Sequence, residues 1–574
     1  MVVLKTFYKS LYLSSWTYFA TFLLLTVPAH ADFSFYDYQY TLDNLRNQHL
    51  VNSHSHYDIE FNSVQTGGDI NTYNCLNGNC TPVSYKYTLT RTDSSHGSLV
   101  VLHDGDDIDI FRYNESSSDI LSMPATVSII GTLSGDFIGN NVYSETQAGG
   151  LTNNAFTISN LYGDFIENYS SHNAGALLNL EHGQIGNIVG NFLKNNGSAY
   201  GGAIDNEATI THMSANFVGN SAKSPSVESA GFGKAFGGGI YNAGNITNIS
   251  ADFIDNRACN IFESETTSYV VSSGGGIYNG DYQNNGTESK IDSINGNFIG
   301  NSAIIENNYN VNWNTSNEVL FAEGGAITNR VYGQIHNITS NFYGNFTHIK
   351  NTASISSNNN VLIMAKGGAI YNTGTIDNIC GDFINNSASV DNSGSINARN
   401  VEIISQGGAI YNSGTIGLSA IDKSIIFSGN TAEQGGAIYN SGKITMNAAK
   451  NERVTFSTSS DNIYNSGQMT MSGDGYFYLQ SILGNGDFYL NGFVGLAENS
   501  VLTQNSLQIS KGGILSINAS SLDVNSISNH GALILTGGNL SNDINGSGNV
   551  SVSGDVTNEA YIYIQMFLLN TANH

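Results

Sequence analysis

The chain has 574 residues and carries 20 Lys and Arg against 46 Asp and Glu, a formal net charge of −26. That balance argues against nucleic acid, whose binding depends on basic residues displacing counterions, and against anionic lipid held by a basic face. Only 11% of residues are charged and 4 are Pro, while 40% are hydrophobic, so a core can form and a disordered tail is not the reading.

The polar remainder is rich in Asn, Ser, Thr and Gly, which is turn chemistry. Residues 1–31 read as an export signal. Lys5 and Lys9 supply its positive end, and "FATFLLLTVPAHA" (19–31) its apolar core and small-x-small cleavage pattern. Cleavage after Ala31 leaves Asp32 as the first mature residue. The apolar run is short for the ~20 residues that a membrane span needs, and no later segment is long and apolar enough.

Residues 32–125 lack the phrases that follow and are expected to form an N-terminal cap, which a stack of strands needs over its first edge. Cys75 and Cys80 enclose "LNGN", an Asn-Gly turn signal, and are the disulfide candidate for an exported protein. No second Cys/His pair lies nearby at finger spacing, so no metal site is expected there. His54 and His56 of "SHSHYD" alternate along one strand face and read as surface residues. Asp104, Asp106, Asp107 and Asp109 of "DGDDID" offer oxygen ligands of the kind Ca²⁺ accepts. Without the turn Gly and distal Glu of a calcium loop, they read as a solvated acidic turn.

Residues 126–445 repeat two phrases. One is GG[AG]I, at 201–204, 237–240, 274–277, 324–327, 367–370, 407–410 and 435–438. The other is F-x-x-N, at Phe137–Asn140, Phe165–Asn168, Phe192–Asn195, Phe217–Asn220, Phe253–Asn256, Phe298–Asn301, Phe342–Asn345, Phe383–Asn386 and Phe427–Asn430. The Phe follows the first Gly by 16 residues in the units at Gly201, Gly237 and Gly367, by 18 at Gly324, 20 at Gly407 and 24 at Gly274. From Phe192, Phe217, Phe298, Phe383 and Phe427 on to the next double Gly the gap is 9, 20, 26, 24 and 8. One side of the unit is nearly fixed and the other accepts insertions, as in a repeat array whose loops emerge on one face.

Within "GGAIYNTGTIDNICGDFINNSA" (367–388) the apolar runs are too short for helices and are punctuated by Gly and Asn. Alternating Ile and polar residues suit short half-buried strands. The predicted fold is all-β: a parallel β-helix whose rungs stack at about 4.8 Å. Ile204, Ile240, Ile277, Ile327, Ile370, Ile410 and Ile438 form its core with Phe217, Phe253, Phe298, Phe342, Phe383 and Phe427. The corner Asn residues are expected to accept left-handed backbone angles and to hydrogen-bond to the copy above. Gly367 and Gly368 let the chain turn without a side-chain clash.

Tyr241, Tyr278, Tyr371, Tyr411 and Tyr439 follow the inward Ile and are expected to point outward as an aromatic ladder. Cys259 and Cys380 read as small buried hydrophobes. Asp252 and Asp382 recur before the Phe, which marks a structural role. The insertions 258–273, 302–323, 346–366 and 387–406, with Trp313 among them, are expected to be variable binding loops. Residues 446–559 read as simpler rungs of the same array, and 560–574 as an irregular or truncated tail.

The alternating GGAI and F-x-x-N phrases over roughly residues 125–555 resemble the polymorphic outer membrane proteins of chlamydiae, and more broadly the passenger regions of bacterial autotransporters. The resemblance implies a right-handed β-helix passenger, exported and displayed on the cell surface, commonly as an adhesin. Its partner would be a protein or glycan of a host or neighbouring cell, with no cofactor and no catalytic residue. Such proteins end in a translocator β-barrel of amphipathic strands. This sequence ends on "AYIYIQMFLLNTANH" (560–574), so the expectation is a truncated chain, a fragment, or an outer-membrane translocator supplied separately. The alternative is a secreted polysaccharide-active β-helix enzyme, which would need one non-repeating carboxylate cluster. No nucleophile elbow or comparable serine motif is present in the sequence.

Overall fold

This computed structural model describes residues 136–558, apart from 143–147, 154–156, 225–231, 262–268, 283–285, 314–317 and 541. Outside that range it describes the strands Tyr57–Phe61, Cys75–Leu76, Asn79–Cys80, Tyr87–Arg91, Ile110–Arg112, Glu115–Ser116, Ile129–Ser134 and Ile562–Ile564. Ala31, Asp32, His54, His56 and the acidic turn Asp104–Asp109 lie outside the described residues.

Among the described residues every element is a strand, and 38 strands join in one sheet. Pairing is parallel except in the hairpin of Cys75–Leu76 with Asn79–Cys80, which sets Cys75 opposite Cys80. Like residue lies on like residue. Ile370–Asn372 pairs with Ile327–Asn329 on one side and Ile410–Asn412 on the other. Phe383 pairs likewise with Phe342 and Phe427. The uneven spacing of the phrases is absorbed between strands, and the register of the strands is kept. Beyond residue 446, longer strands such as Gln468–Leu479, Asp487–Leu496 and Ile514–Asn529 continue the parallel pairing.

The phrase isoleucines Ile204, Ile240, Ile277, Ile327, Ile370, Ile410 and Ile438 are fully buried, as are the phrase phenylalanines. From Phe137 to Phe456 successive ring centroids stand 4.4–5.1 Å apart, with planes within 8° of parallel. Strand spacing in a sheet dictates that distance. Stacked ring pairs contribute roughly 0.5–1.5 kcal/mol each beyond the area they bury.

The Asn of each F-x-x-N phrase is fully buried and forms an amide ladder. Asn345 Nδ2 donates to Asn386 Oδ1 at 3.0 Å and to the Phe298 carbonyl at 2.9 Å. Its backbone N–H donates to the same Asn386 Oδ1. The left-handed angle does not fall on this Asn, as the sequence suggested, but on the residue before it. Gly139, Glu167, Lys194, Gly219, Asp255, Gly300, Gly344, Asn385 and Gly429 all have φ between 53° and 70°. The ladder explains the shift. The Asn backbone N–H and side chain both point along the stack, so its neighbour makes the turn.

The double Gly divides two tasks. The first takes a left-handed angle, as Gly367 does at φ 64°. The second packs so closely that a Cβ on Gly368 would overlap the carbonyl oxygens of Gly408 and Ser387.

Cys259 and Cys380 are free thiols and half-buried, which corrects the expectation of two buried hydrophobes. Cys259 alternates with the buried Ala258 and Asn260, so its side chain falls on the outer face. Cys380 follows the buried Ile379.

Candidate functional site

The insertions do not emerge as loops. Segment 258–273 contributes Tyr269–Ser273, 302–323 contributes Val311–Trp313 and Glu318–Glu323, and 346–366 contributes Ile355–Ser357 and Asn360–Lys366. Segment 387–406 adds Ile396–Asn397 and Asn400–Gln406. With Phe232–Phe236 these form a parallel sheet of 5 strands and another of 3. They enclose a separate core containing Val270, Ile305, Val311, Leu320, Ile349, Ile355, Val361 and Ile363. The insertions share no phrase, yet each places branched apolar residues over those of its neighbour: Val270 on Leu320, Val311 on Ile355 and Leu320 on Ile363. They make a lobe that repeats with the same register as the main stack.

The lobe covers the tyrosines. Tyr241, Tyr278, Tyr371 and Tyr411 are all buried, with at most 9% of their surface exposed, which corrects the outward, solvent-facing ladder. Phe236 and Val271 of the lobe strands pack with Tyr241 and Tyr278. Tyr439 is half-buried because the lobe has ended by that unit. The rings stack along the sheet: Tyr371 on Tyr411 at 5.1 Å, Tyr411 on Tyr439 at 5.2 Å and Tyr439 on Tyr464 at 5.2 Å.

One rung breaks this ladder. Thr328 stands where tyrosine is expected, between Tyr278 and Tyr371 in register. An ion pair lies beside it. Arg330 Nη1 donates to Glu323 Oε2 at 2.8 Å, and the guanidinium lies 5.8 Å from the centre of the Tyr371 ring. Ser273 and Thr328 hydroxyls meet at 2.9 Å beside it. Lys366 Nζ sits 4.9 Å from the centre of the Tyr411 ring. Burial alone would lower the Arg330 pKa, but Glu323 and the tyrosines around it carry it above its ordinary value. Burial, then Glu323, pushes the Tyr371 phenol well up. Glu323 belongs to a lobe strand and Arg330 to the main stack, so the pair ties one to the other.

A second departure lies at Asp205, which takes the tyrosine place in its unit, opposite Tyr241. Only 2% of Asp205 is exposed, and its Oδ1 has no partner among the described residues. Burial, then Glu207, raises its carboxyl well above the ordinary value. Glu207 is itself raised, by burial and then by Glu181 and Asp281. The Asp that recurs before several of the phrase phenylalanines is structural: Asp252 Oδ1 accepts from the Asn297 backbone N–H at 2.8 Å, and Asp382 Oδ1 from that of Ile426 at 2.9 Å.

Comparison with protein-family models, curated proteins and solved structures returns no match. What distinguishes this chain therefore has to come from its own departures from the repeat. Thr328 and Asp205 were visible as substitutions within the I-Y-N phrase. Glu323, Arg330 and Glu207 carried no sequence signal, because each lies outside both phrases. Trp313 lies on a lobe strand.

Proposed function

We propose that the chain is an exported, surface-displayed β-helix passenger of autotransporter type, right-handed and carrying an N-terminal cap, that binds a protein or glycan of another cell through its insertion lobe. The observation that supports this reading is the lobe. The two phrases are spent on stacking, through buried Ile, Phe and Asn, while the sequence that varies from unit to unit is gathered into one ordered structure on one side. An array built this way offers a large surface whose scaffold is independent of what the surface recognises. The segment 1–31 supports export.

Display is tested by treating intact producing cells with protease. Cleavage of the chain without cell lysis is the expected result; protection until the cells are broken rejects it. Adhesion is tested with beads coated with residues 32–574, which should attach to target cells and lose attachment when residues 387–406 are replaced by a short turn.

A second reading, a polysaccharide-active enzyme, draws on Asp205 and Glu207. A buried carboxyl whose pKa is raised beside a second carboxylate is the kind of pairing that glycoside cleavage uses. Release of reducing ends from a polysaccharide panel, abolished by Asp205→Asn, would favour it over adhesion.

A further inference from the structure

The lobe is covered only in part at its last rung. Asn400–Gln406 is the last strand of its 5-stranded sheet and Ile396–Asn397 the last of the 3-stranded one. The next unit passes from Phe427 to Gly435 in 8 residues, with no insertion, and covers only the far end of the edge. Glu433 and Gln434 hydrogen-bond to Ser405, Gln434 bridges Gln406, and Ala432 packs against the lobe core, which leaves Val401 and Ile403 beyond it.

The residues on this last rung are nonetheless core residues. Val401 lies in register with Val361, Ile403 with Ile363 and Ile396 with Ile355. The inner members Val361 and Ile363 are 0% exposed and Ile355 is 1% exposed, while Val401 is 45% exposed and Ile403 and Ile396 are only partly buried. A sheet edge left to face water is ordinarily blunted by charge, proline or a bulge. This one instead continues the apolar pattern, as if one more strand followed.

We infer that this edge is a docking site for an extended segment of a partner protein, added in parallel as the next strand of the lobe. It rests on the adhesive reading and names the place and partner class. Three observations choose the occupant. A row of edge backbone groups, here those around Val401 and Ile403, pairs as a row with another extended chain, and apolar residues at alternate positions complete the pattern of Val401 and Ile403. The edge itself carries Asp391, Glu402 and Glu433 against Arg399, with Lys350 and Lys366 one strand back and Glu433 bonded to the Ser405 N–H. A segment that sets a Lys opposite the exposed Glu402 therefore fits; a second copy of a chain with net charge −26 does not. The faces of Tyr411 and Tyr439 beside the edge are already taken by ring-on-ring stacking, which leaves no face for a sugar ring to lie on.

The probe is a fluorescein-labelled peptide copying residues 358–368 with Leu362→Lys, which sets Lys opposite Glu402 and keeps Val, Ile and Ala facing the lobe core. Titration of the full chain should give a saturable rise in anisotropy that weakens with salt. Val401→Asp, at an exposed position that the fold tolerates, should reduce affinity by at least about tenfold. Val552→Asp, also at an exposed Val but outside the lobe, should leave it unchanged. A probe with Ile363→Asp should bind the wild-type chain as poorly as the original probe binds the Val401→Asp variant, which tests the same contact without altering the fold. No saturation up to about 1 mM peptide overturns the proposal, as does equal binding to both variants. A concentration-dependent dimer abolished by Val401→Asp also overturns it, in favour of a second copy. Because the titration uses purified protein, its failure is separable from failure of surface display, which is read on intact cells.

Discussion

Asp461 ends the amide ladder that Asn430 carries. Its Oδ1 accepts both the backbone N–H and the Nδ2 of Asn430, at 2.9 and 3.0 Å. Its Oδ2 accepts from the backbone N–H groups of Gly429 and Thr458 and from the Thr458 hydroxyl. Every earlier rung needs an amide, since it accepts from one neighbour and donates to the next. The last rung has no next neighbour, and a carboxylate, which only accepts, fits there. Asp461→Asn would aim an NH₂ group at three donors. It should cost about 3 kcal/mol, read as a lower urea midpoint, with faster amide exchange confined to the units around Asn430. A loss under about 0.5 kcal/mol would show that the end of the ladder is not closed in this way.

Two glycines with left-handed or crowded backbones separate conformation from space. Gly368 has no room, since a Cβ there overlaps the backbone oxygens of Ser387 in its own unit and Gly408 in the next, which cannot move without breaking the sheet. Gly368→Ala should destabilise by more than about 3 kcal/mol and lower soluble yield. Gly344 has φ 59° and nothing within 4 Å of an added Cβ. At the equivalent place another unit carries Asn385 at φ 55°. Gly344→Asn should therefore stay within about 1 kcal/mol of the parent, and paired thermal melts of the two variants decide the matter.

The parallel all-β architecture was legible because the phrases repeat and their apolar residues alternate. Ile370 and Phe383 could be placed from one unit and checked against the others. The amide ladder was legible too, since Asn recurs three residues after each Phe. Burial of Tyr371 was not, because the segments that cover it share no phrase. Leu320 and Ile363 can be aligned only once the register of the flanking strands is known. Asp461 was hidden by spacing: it follows Phe456 by five residues where every other unit has three. The left-handed position was misassigned to Asn because the residue type that tolerates the angle sits next to the residue that bears it.

Glu323 and Arg330 bridge the lobe to the main stack in a place with little water. Arg330→Met leaves Glu323, 4% exposed, charged and buried, and should cost roughly 3–5 kcal/mol; Glu323→Gln leaves Arg330 partly exposed and should cost less. The double variant should cost less than the sum of the two, because no lone charge remains. Loss should appear first in the lobe, as protease cleavage within residues 258–406 while the main stack resists. Additive costs in the double variant would mean that the pair does not act as a unit.

Asp255 carries a pH dependence of definite sign. Burial pushes its carboxyl up from the ordinary 3.8 to about 6, with Arg257 opposing. The folded chain thus holds this proton more tightly than the unfolded chain, and the stability that Asp255 contributes falls as pH rises from about 4 to about 6. Above that range the ionised group sits buried at a cost on the order of 1–2 kcal/mol. Asn is accommodated at this left-handed place, as Asn385 demonstrates. Asp255→Asn should therefore raise the urea midpoint at pH 7 and make no difference at about pH 2.5, below both pKa values, where Asp255 is protonated in both states. A gain of equal size at both pH values would trace the effect to the backbone turn instead of the charge.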